Sequence, residues 1–339
     1  MIVIDARNFE RITSTEAAEV NGETNLQVDP TTTATVSLEV NIGGVRLKNP
    51  VTVASGTFGY GREFEDFLEL SRLGAIAVKG LTVEPRAGNR PPRVVETPAG
   101  MLNAIGLENV GVERYLAEKL PYLRQLDTAI IANISGFSIE EYVALTERLC
   151  QGRGADLIEV NVSCPNVRHG GMAFGADPAM LEQITRAVVE RATVPVIVKL
   201  SPNVTNVAAM ARIVEQAGAA AVSLVNTFLA MVIDVETRRP VLGNQTGGLS
   251  GPAIRPIAVR MVREVFRAVS IPIIGMGGIM TARDALEFLI AGASVVAIGT
   301  ANFVNPTTAL DVLEGIEQYC RRHQIGNIRD LVGSLVVEV

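Results

Sequence analysis

From residue 50 onward, apolar β-branched runs of strand length recur at residues 51–54, 75–78, 129–134, 157–162, 196–200, 221–225, 271–274 and 295–298. They lack the polar alternation of a half-exposed strand, which is how parallel strands buried on both faces read. Between them lie helix-period patterns at residues 140–150, 178–191, 204–217, 253–269 and 282–291. Asp177 before Pro178, and Thr281, are helix starts; Gly218 and Gly292 are helix stops. Eight such strands, each followed by a helix or a long loop, predict an α/β fold, a (β/α)8 barrel. A doubly wound sheet is the other arrangement that alternation allows. Ahead of the repeat, residues 36–42 alternate and meet residues 45–47 across Gly43-Gly44, a β-hairpin expected to close the barrel floor. Residues 1–34, rich in Thr, Glu, Asn and Asp, read as a flexible leader, leaving residues 35–339 as a single domain.

Composition removes whole classes of function. Hydrophobic content of 48% with 19% charge belongs to a compact globular chain. A net charge of −6 and the lack of any basic–aromatic stripe argue against nucleic acid and anionic membranes as partners. No uncharged apolar stretch is long enough to span a bilayer, and the N-terminus does not read as a signal peptide. Three cysteines with no Cys-x-x-Cys pair, and two histidines, give neither a disulfide framework nor a metal centre, so a cytoplasmic protein without metal is expected.

Barrel chemistry sits at the carboxyl ends of strands. Those ends read Ser55-Gly56, Lys79-Gly80, Asn133, Asn161 with Cys164, Lys199, Asn226-Thr227, Gly277-Gly278 and Gly299-Thr300. Polar groups so concentrated at one end point to a site, whereas chance would scatter them over both. Gly275-Met276-Gly277-Gly278 and Gly299-Thr300 follow strands seven and eight, where barrels bind phosphate; alternatively, these glycines only permit tight turns. The third glycine and the acidic residue of a dinucleotide fingerprint are missing, so a mononucleotide such as FMN fits better than NAD. Lys199 would favour the reduced form of a flavin ring, Lys79 would face a carboxylate, and Asn133 and Asn161 would pair with a pyrimidine-like edge. Cys164 reads as a buried thiol, a nucleophile or a general base. His169 stands in a Gly-rich segment with the look of a mobile flap and reads as solvated, whereas Cys150 and Cys320 read as packing residues.

The run Asn161-Val162-Ser163-Cys164-Pro165-Asn166 resembles the active-site signature of class 1 dihydroorotate dehydrogenases. So do Val78-Lys79-Gly80-Leu81-Thr82, Asn103-Ala104-Ile105-Gly106-Leu107, Asn226-Thr227 and the run Thr246 to Ala253. The resemblance covers residues 36–335 in the family's order. It implies an FMN-bearing barrel that oxidises (S)-dihydroorotate to orotate in pyrimidine synthesis. Cys164 would take the C5 proton while the C6 hydride passes to FMN N5. Lys79, Asn103, Ile105, Gly106, Leu107, Asn161, Asn166, Asn226 and Thr227 would hold the substrate. FMN would lie against Ser55, Lys79, Gly80, Asn133, Asn161, Lys199, Val225, Gly251, Gly277, Gly278, Gly299 and Thr300.

The segment from Asn166 to Gly175 looks like the NAD-linked 1B branch rather than the fumarate-linked 1A branch. That branch implies a catalytic homodimer joined to a subunit carrying FAD and a [2Fe-2S] cluster, as a heterotetramer. The flavin subunit of a dihydropyrimidine dehydrogenase and a non-catalytic barrel are the competing readings. Two features depart from the family pattern: the leader is longer, and Ala230 stands where glycine is expected, putting the loop near Asn226-Thr227 in question.

Overall fold

A computed structural model of the chain describes residues 36–162 and 174–337. The leader, Cys164, Asn166 and His169 lie outside the described residues.

The fold begins with the expected hairpin, β1 (Val40–Ile42) and β2 (Val45–Leu47), turned at Gly43 and Gly44 with φ of +58° and +95°. That left-handed pair suits glycine, which has no Cβ to clash. A Cβ on Gly43 would lie 2.6 Å from Pro195 and 2.8 Å from Ala220. Those two residues lead into barrel strands, so the turn packs against the strands' N-terminal ends and closes the floor. The first strand is shorter than its alternation predicts, because Ser37 bridges to Asn327 instead of continuing the hairpin.

The chain then alternates between barrel and cover. Barrel strands β3 (Val51–Val53) and β4 (Ala75–Ala77) precede two cover strands, β5 (Val94–Thr97) and β6 (Gly100–Asn103). Next come barrel strands β7 (Ala129–Ile134), β8 (Leu157–Asn161), β9 (Val196–Lys199) and β10 (Ala221–Leu224). The cover resumes with β11 (Phe228–Ala230), β12 (Ile233–Asp234), β13 (Arg239–Pro240) and β14 (Gly247–Ser250). Barrel strands β15 (Ile273–Met276) and β16 (Val295–Ile298) complete the set.

The eight barrel strands run in the order β3-β16-β15-β10-β9-β8-β7-β4 with every pair parallel. The two ends meet: Gly74 N donates to Val51 O at 3.0 Å, and Thr52 Oγ1 donates to Ala75 O at 2.8 Å. This closure establishes the (β/α)8 barrel and excludes an open doubly wound sheet.

Helices cover the outside. A short α1 (Gly111–Arg114) passes through a π-helical turn, Tyr115–Lys119, into α2 (Leu120–Leu123). Then follow α3 (Ile139–Gln151), α4 (Pro178–Arg191), α5 (Val207–Gln216), α6 (Arg255–Phe266), α7 (Ala282–Ala291), α8 (Ala301–Val304) and α9 (Thr308–Arg322). Capping residues fix several boundaries. Asp177 accepts from the amides of Ala179 and Met180, as its place before Pro178 predicts. The pattern predicts α5 from residue 204, but Asn206 accepts from Ala209 N at 2.9 Å and starts the helix at Val207. Similarly, Pro252–Ile254 make a 3-10 turn, so α6 begins only at Arg255.

Two further expectations are corrected. The seventh barrel strand lies two residues later than the run at 271–274, so Gly275 and Met276 belong to β15 and not to a loop. A Cβ on Gly275 would sit 2.8 Å from the Phe288 ring and 2.9 Å from Ala293, which accounts for glycine by packing alone. The antiparallel cover sheet, in the order β11-β14-β6-β5, carries no periodic signal in the sequence. Ala230 lies in its strand β11 opposite Gly247 and takes no positive φ among the described residues, so the strand accommodates it where glycine was expected. Among the described residues, no helix is long and apolar enough to cross a membrane.

Thr281 and Asp284 form a capping box at the start of α7, each side chain accepting from the other's amide. Thr281→Ala is expected to cost about 1 kcal/mol, read as a lower urea midpoint at unchanged slope. An unshifted midpoint would show that the box adds nothing to stability.

Candidate active site

At the carboxyl ends of the barrel strands a cavity of about 530 Å³ lies between the barrel and the cover sheet. Its barrel wall carries Ser55, Gly56, Lys79, Gly80, Asn133, Asn161, Lys199, Val225, Gly277, Gly278, Gly299 and Thr300. Its cover wall carries Met101, Asn103, Ile105, Gly106, Leu107, Gly248, Ser250 and Gly251, with Asn226 and Thr227 where β10 leads into β11. All the residues expected to hold the cofactor therefore line one cavity. The expected substrate residues line it too, apart from Asn166, which with Cys164 lies outside the described residues.

The barrel wall is organised around a residue that the sequence pattern hides. Glu159 occupies an inward position of β8 in an otherwise apolar run, and it is buried. Asn133 Nδ2 donates to its Oε2 at 2.6 Å, and Ser223 Oγ donates to its Oε1 at 2.6 Å. Lys199 Nζ lies 3.9 Å from Oε2, and its side chain is only 7% exposed. Burying a carboxylate is costly unless it is paired and hydrogen-bonded, and three neighbouring strands supply those partners. The signal available in sequence was a lone acid inside a strand expected to be buried on both faces.

A second polar string runs along the rim. Asn226 Nδ2 donates to Asn161 Oδ1 at 3.2 Å, and Thr227 N donates to Asn226 Oδ1 at 2.8 Å. Tyr142 OH donates to Asn161 O at 2.8 Å, which fixes the end of β8. On the cover side, Thr300 Oγ1 donates to Ser250 Oγ at 2.8 Å. Lys79 is half-buried in the wall and pairs with no carboxylate among the described residues. The chain leaves the described wall at Val162 and returns beside it, where Gly175 N donates to Val162 O at 3.0 Å.

The glycines divide by cause. Gly277 and Gly278 have φ of +131° and +77°, and a Cβ on Gly278 would lie 2.7 Å from Gly251 O. Backbone geometry already requires glycine there, as the tight-turn reading holds. At Gly56 a Cβ would meet nothing within 4 Å, and at Gly299 only Ala54 at 3.6 Å. Packing asks for neither glycine, and both line the cavity, so they leave room for a ligand.

The other cysteines are structural in placement. Cys320 is buried in α9, and burial pushes its thiol up from the usual range. Cys150 is half-buried, with its sulfur accepting from Thr193 N at 3.3 Å.

A closed barrel whose strand ends gather two lysines, amides and glycines around one cavity has the form of a barrel enzyme with its site at the carboxyl ends of the strands. Residues 37–320 match the family model for dihydroorotate dehydrogenase, and the chain belongs to that family. It is 53% identical over 299 residues to the dihydroorotate dehydrogenase B (NAD(+)) catalytic subunit of Geotalea uraniireducens, covering 88% of this chain and 98% of that protein. The subunit of the same name from Caldicellulosiruptor bescii is 55% identical over 300 residues, covering 88% of this chain and 99% of its own. That of a Thermoanaerobacter species is 54% identical over 303 residues, covering 89% of this chain and all of its own length.

Replacing Lys199 by Met would leave Glu159 buried without its cation. The expected loss of stability is about 3 kcal/mol, the range for breaking a buried ion pair. Lys199→Met/Glu159→Gln should recover more than half of that loss in urea unfolding. A double variant no more stable than Lys199→Met would mean the two charges are not coupled.

Proposed function

We propose that this chain is the catalytic subunit of an NAD-linked dihydroorotate dehydrogenase, oxidising (S)-dihydroorotate to orotate in pyrimidine biosynthesis. The observation that carries the reading is the single cavity lined by every described residue that the family motifs mark for ligand contact. Relatives named as NAD(+)-type catalytic subunits favour it over the fumarate-linked branch and over a dihydropyrimidine dehydrogenase.

The donor set fits FMN. Gly56 and Gly299 leave space that packing does not need, Asn133 and Asn161 offer amides, and Lys199 holds a buried cation. Ser55, Lys79, Gly80, Val225, Gly251, Gly277, Gly278 and Thr300 would complete the binding surface. Bound FMN would supply the acceptor for the hydride that leaves C6 of the substrate.

The chain's own residues do the rest. Lys79 sets a positive charge where the substrate carboxylate would lie. Asn103, Asn161, Asn166, Asn226 and Thr227 offer donors and acceptors to the ring edge, and Ile105, Gly106 and Leu107 close the cover side. Cys164, the thiol of the family's active-site signature, takes the C5 proton on its sulfur. The product is the C5–C6 double bond, with two electrons left to pass on.

A subunit carrying FAD and a [2Fe-2S] cluster would relay those electrons to NAD+, in a heterotetramer built on a homodimer of this chain. Leu229, Ile233 and Val235 of the cover are exposed apolar side chains of the kind a subunit contact buries. Residues 35–339 would form the FMN-binding domain and residues 1–34 a leader outside it. Cysteine usage fits a reducing compartment, and we place the protein in the cytoplasm.

Anaerobic titration of the yellow protein with dihydroorotate is expected to bleach the flavin at one equivalent. A flavin that dithionite reduces but dihydroorotate does not would assign the cavity another substrate. Cys164→Ser should keep FMN and lose most of this reduction. The wild-type rate should rise with pH, because only a deprotonated thiol can take the proton. A Cys164→Ser variant as fast as wild type would remove the thiol from the base role.

A further inference from the structure

We propose that Glu159 is a positioning residue of this site, acting through Asn133 and Lys199 to set how a bound flavin is held and how readily it is reduced. The proposal rests on the FMN reading above and assigns a role to a residue that lines no part of the cavity.

The first half of the argument is the polarity of one amide. A carboxylate accepts hydrogen bonds and donates none, so the group Asn133 turns toward Glu159 must be Nδ2, here at 2.6 Å. Asn133 Oδ1 is thereby turned toward Gly80, where an added Cβ would lie 2.9 Å from it. Both residues line the cavity, so Asn133 presents an acceptor at that wall. The pyrimidine edge of a flavin has one N–H between two carbonyls, and that N–H needs an acceptor. With the amide reversed, the wall would offer a donor instead. Ser223 Oγ, donating to Oε1 at 2.6 Å, holds the carboxylate in the orientation that selects this arrangement.

The second half is charge. Lys199 and Glu159 are both buried, and their charged atoms are 3.9 Å apart. In so dry a setting the carboxylate offsets much of the field that Lys199 projects into the cavity. A cation beside a flavin favours its reduced form. The strand ends therefore offer the ring a tempered cation, and removing the carboxylate would strengthen its field there.

The experiment compares holoprotein of wild type, Glu159→Gln and Glu159→Asp by FMN titration and by the two-electron midpoint potential. Glu159→Gln is expected to shift the reduction equilibrium toward reduced flavin by about tenfold, about 30 mV for a two-electron couple. FMN should bind it on the order of fivefold more weakly, as for one hydrogen bond lost. A merely structural role would lower stability and leave the potential unmoved, so an unchanged potential in FMN-loaded Glu159→Gln overturns the electrostatic half.

Glu159→Asp keeps the charge but is too short to reach both Asn133 and Ser223. Its reduction equilibrium should stay within about twofold of wild type, while FMN again binds on the order of fivefold more weakly. Wild-type affinity there overturns the positioning of Asn133, and this variant carries the test should Glu159→Gln fail to fold. Wild-type protein that takes up no FMN would sink the cofactor reading and this proposal together. FMN-loaded variants indistinguishable from wild type would sink only the proposal.

Discussion

A carboxylate inside a barrel has to be satisfied by the barrel itself, and Glu159 is satisfied by side chains from three other strands. Asn133 comes from β7, Lys199 from β9 and Ser223 from β10, all close to β8 in the closed sheet. Their meeting depends on register. Asn133 pairs directly with Glu159 across β7 and β8, Asn161 with Lys199 across β8 and β9, and Ser223 with Lys199 across β9 and β10. A slip of one residue would turn each side chain to the opposite face and strand a buried charge. The constraint that fixes the strands against one another thus also fixes the amide and the cation that face the cavity.

The other wall is built differently. The cover sheet has its own small apolar cluster, Leu102, Ala104 and Leu242, separate from the main core. Close approach of backbones draws its parts together. A Cβ on Gly248 would strike Thr227 Oγ1, 2.0 Å away, and one on Gly100 would strike Ser250 O at the same distance. The cavity therefore lies between a rigid barrel rim and a thin sheet whose approach to it is set by glycines. The Asn103–Leu107 segment rides on that sheet, since Asn103 ends β6.

The barrel was legible because its strands are buried on both faces, and nothing but a run of β-branched residues does that job repeatedly along one chain. The strand ends were legible for the complementary reason: Lys79, Asn133, Asn161 and Lys199 interrupt runs in which a polar group has no packing use. The cover sheet was not legible. Its strands are three or four residues long, and β14 opens on two glycines that serve approach, not pattern. Its pairings join segments far apart in sequence, Asn103 with Gly248 for example. Glu159 is masked in the sequence by three apolar neighbours, although a lone acid in such a run already demands a partner. Gly275 misled in the opposite sense, because a glycine that packs under Phe288 looks in sequence like a glycine that admits a phosphate.

On the proposed function, the two lysines at the mouth would divide two electrostatic tasks. An anionic substrate needs a cation with charge to spare, and Lys79 meets no carboxylate among the described residues. A redox ring needs a cation of moderated strength, since too strong a field would hold the reduced form and slow the onward passage of electrons. On that reading Glu159, which is 3.9 Å from Lys199 and lines no part of the cavity, would moderate it. If the same carboxylate faced the cavity, it would repel an incoming anion, and if it were absent, the ring would be over-stabilised once reduced. Placing the acid one layer below the rim would meet both demands at once, and a closed sheet with inward-facing residues at successive levels provides such a layer.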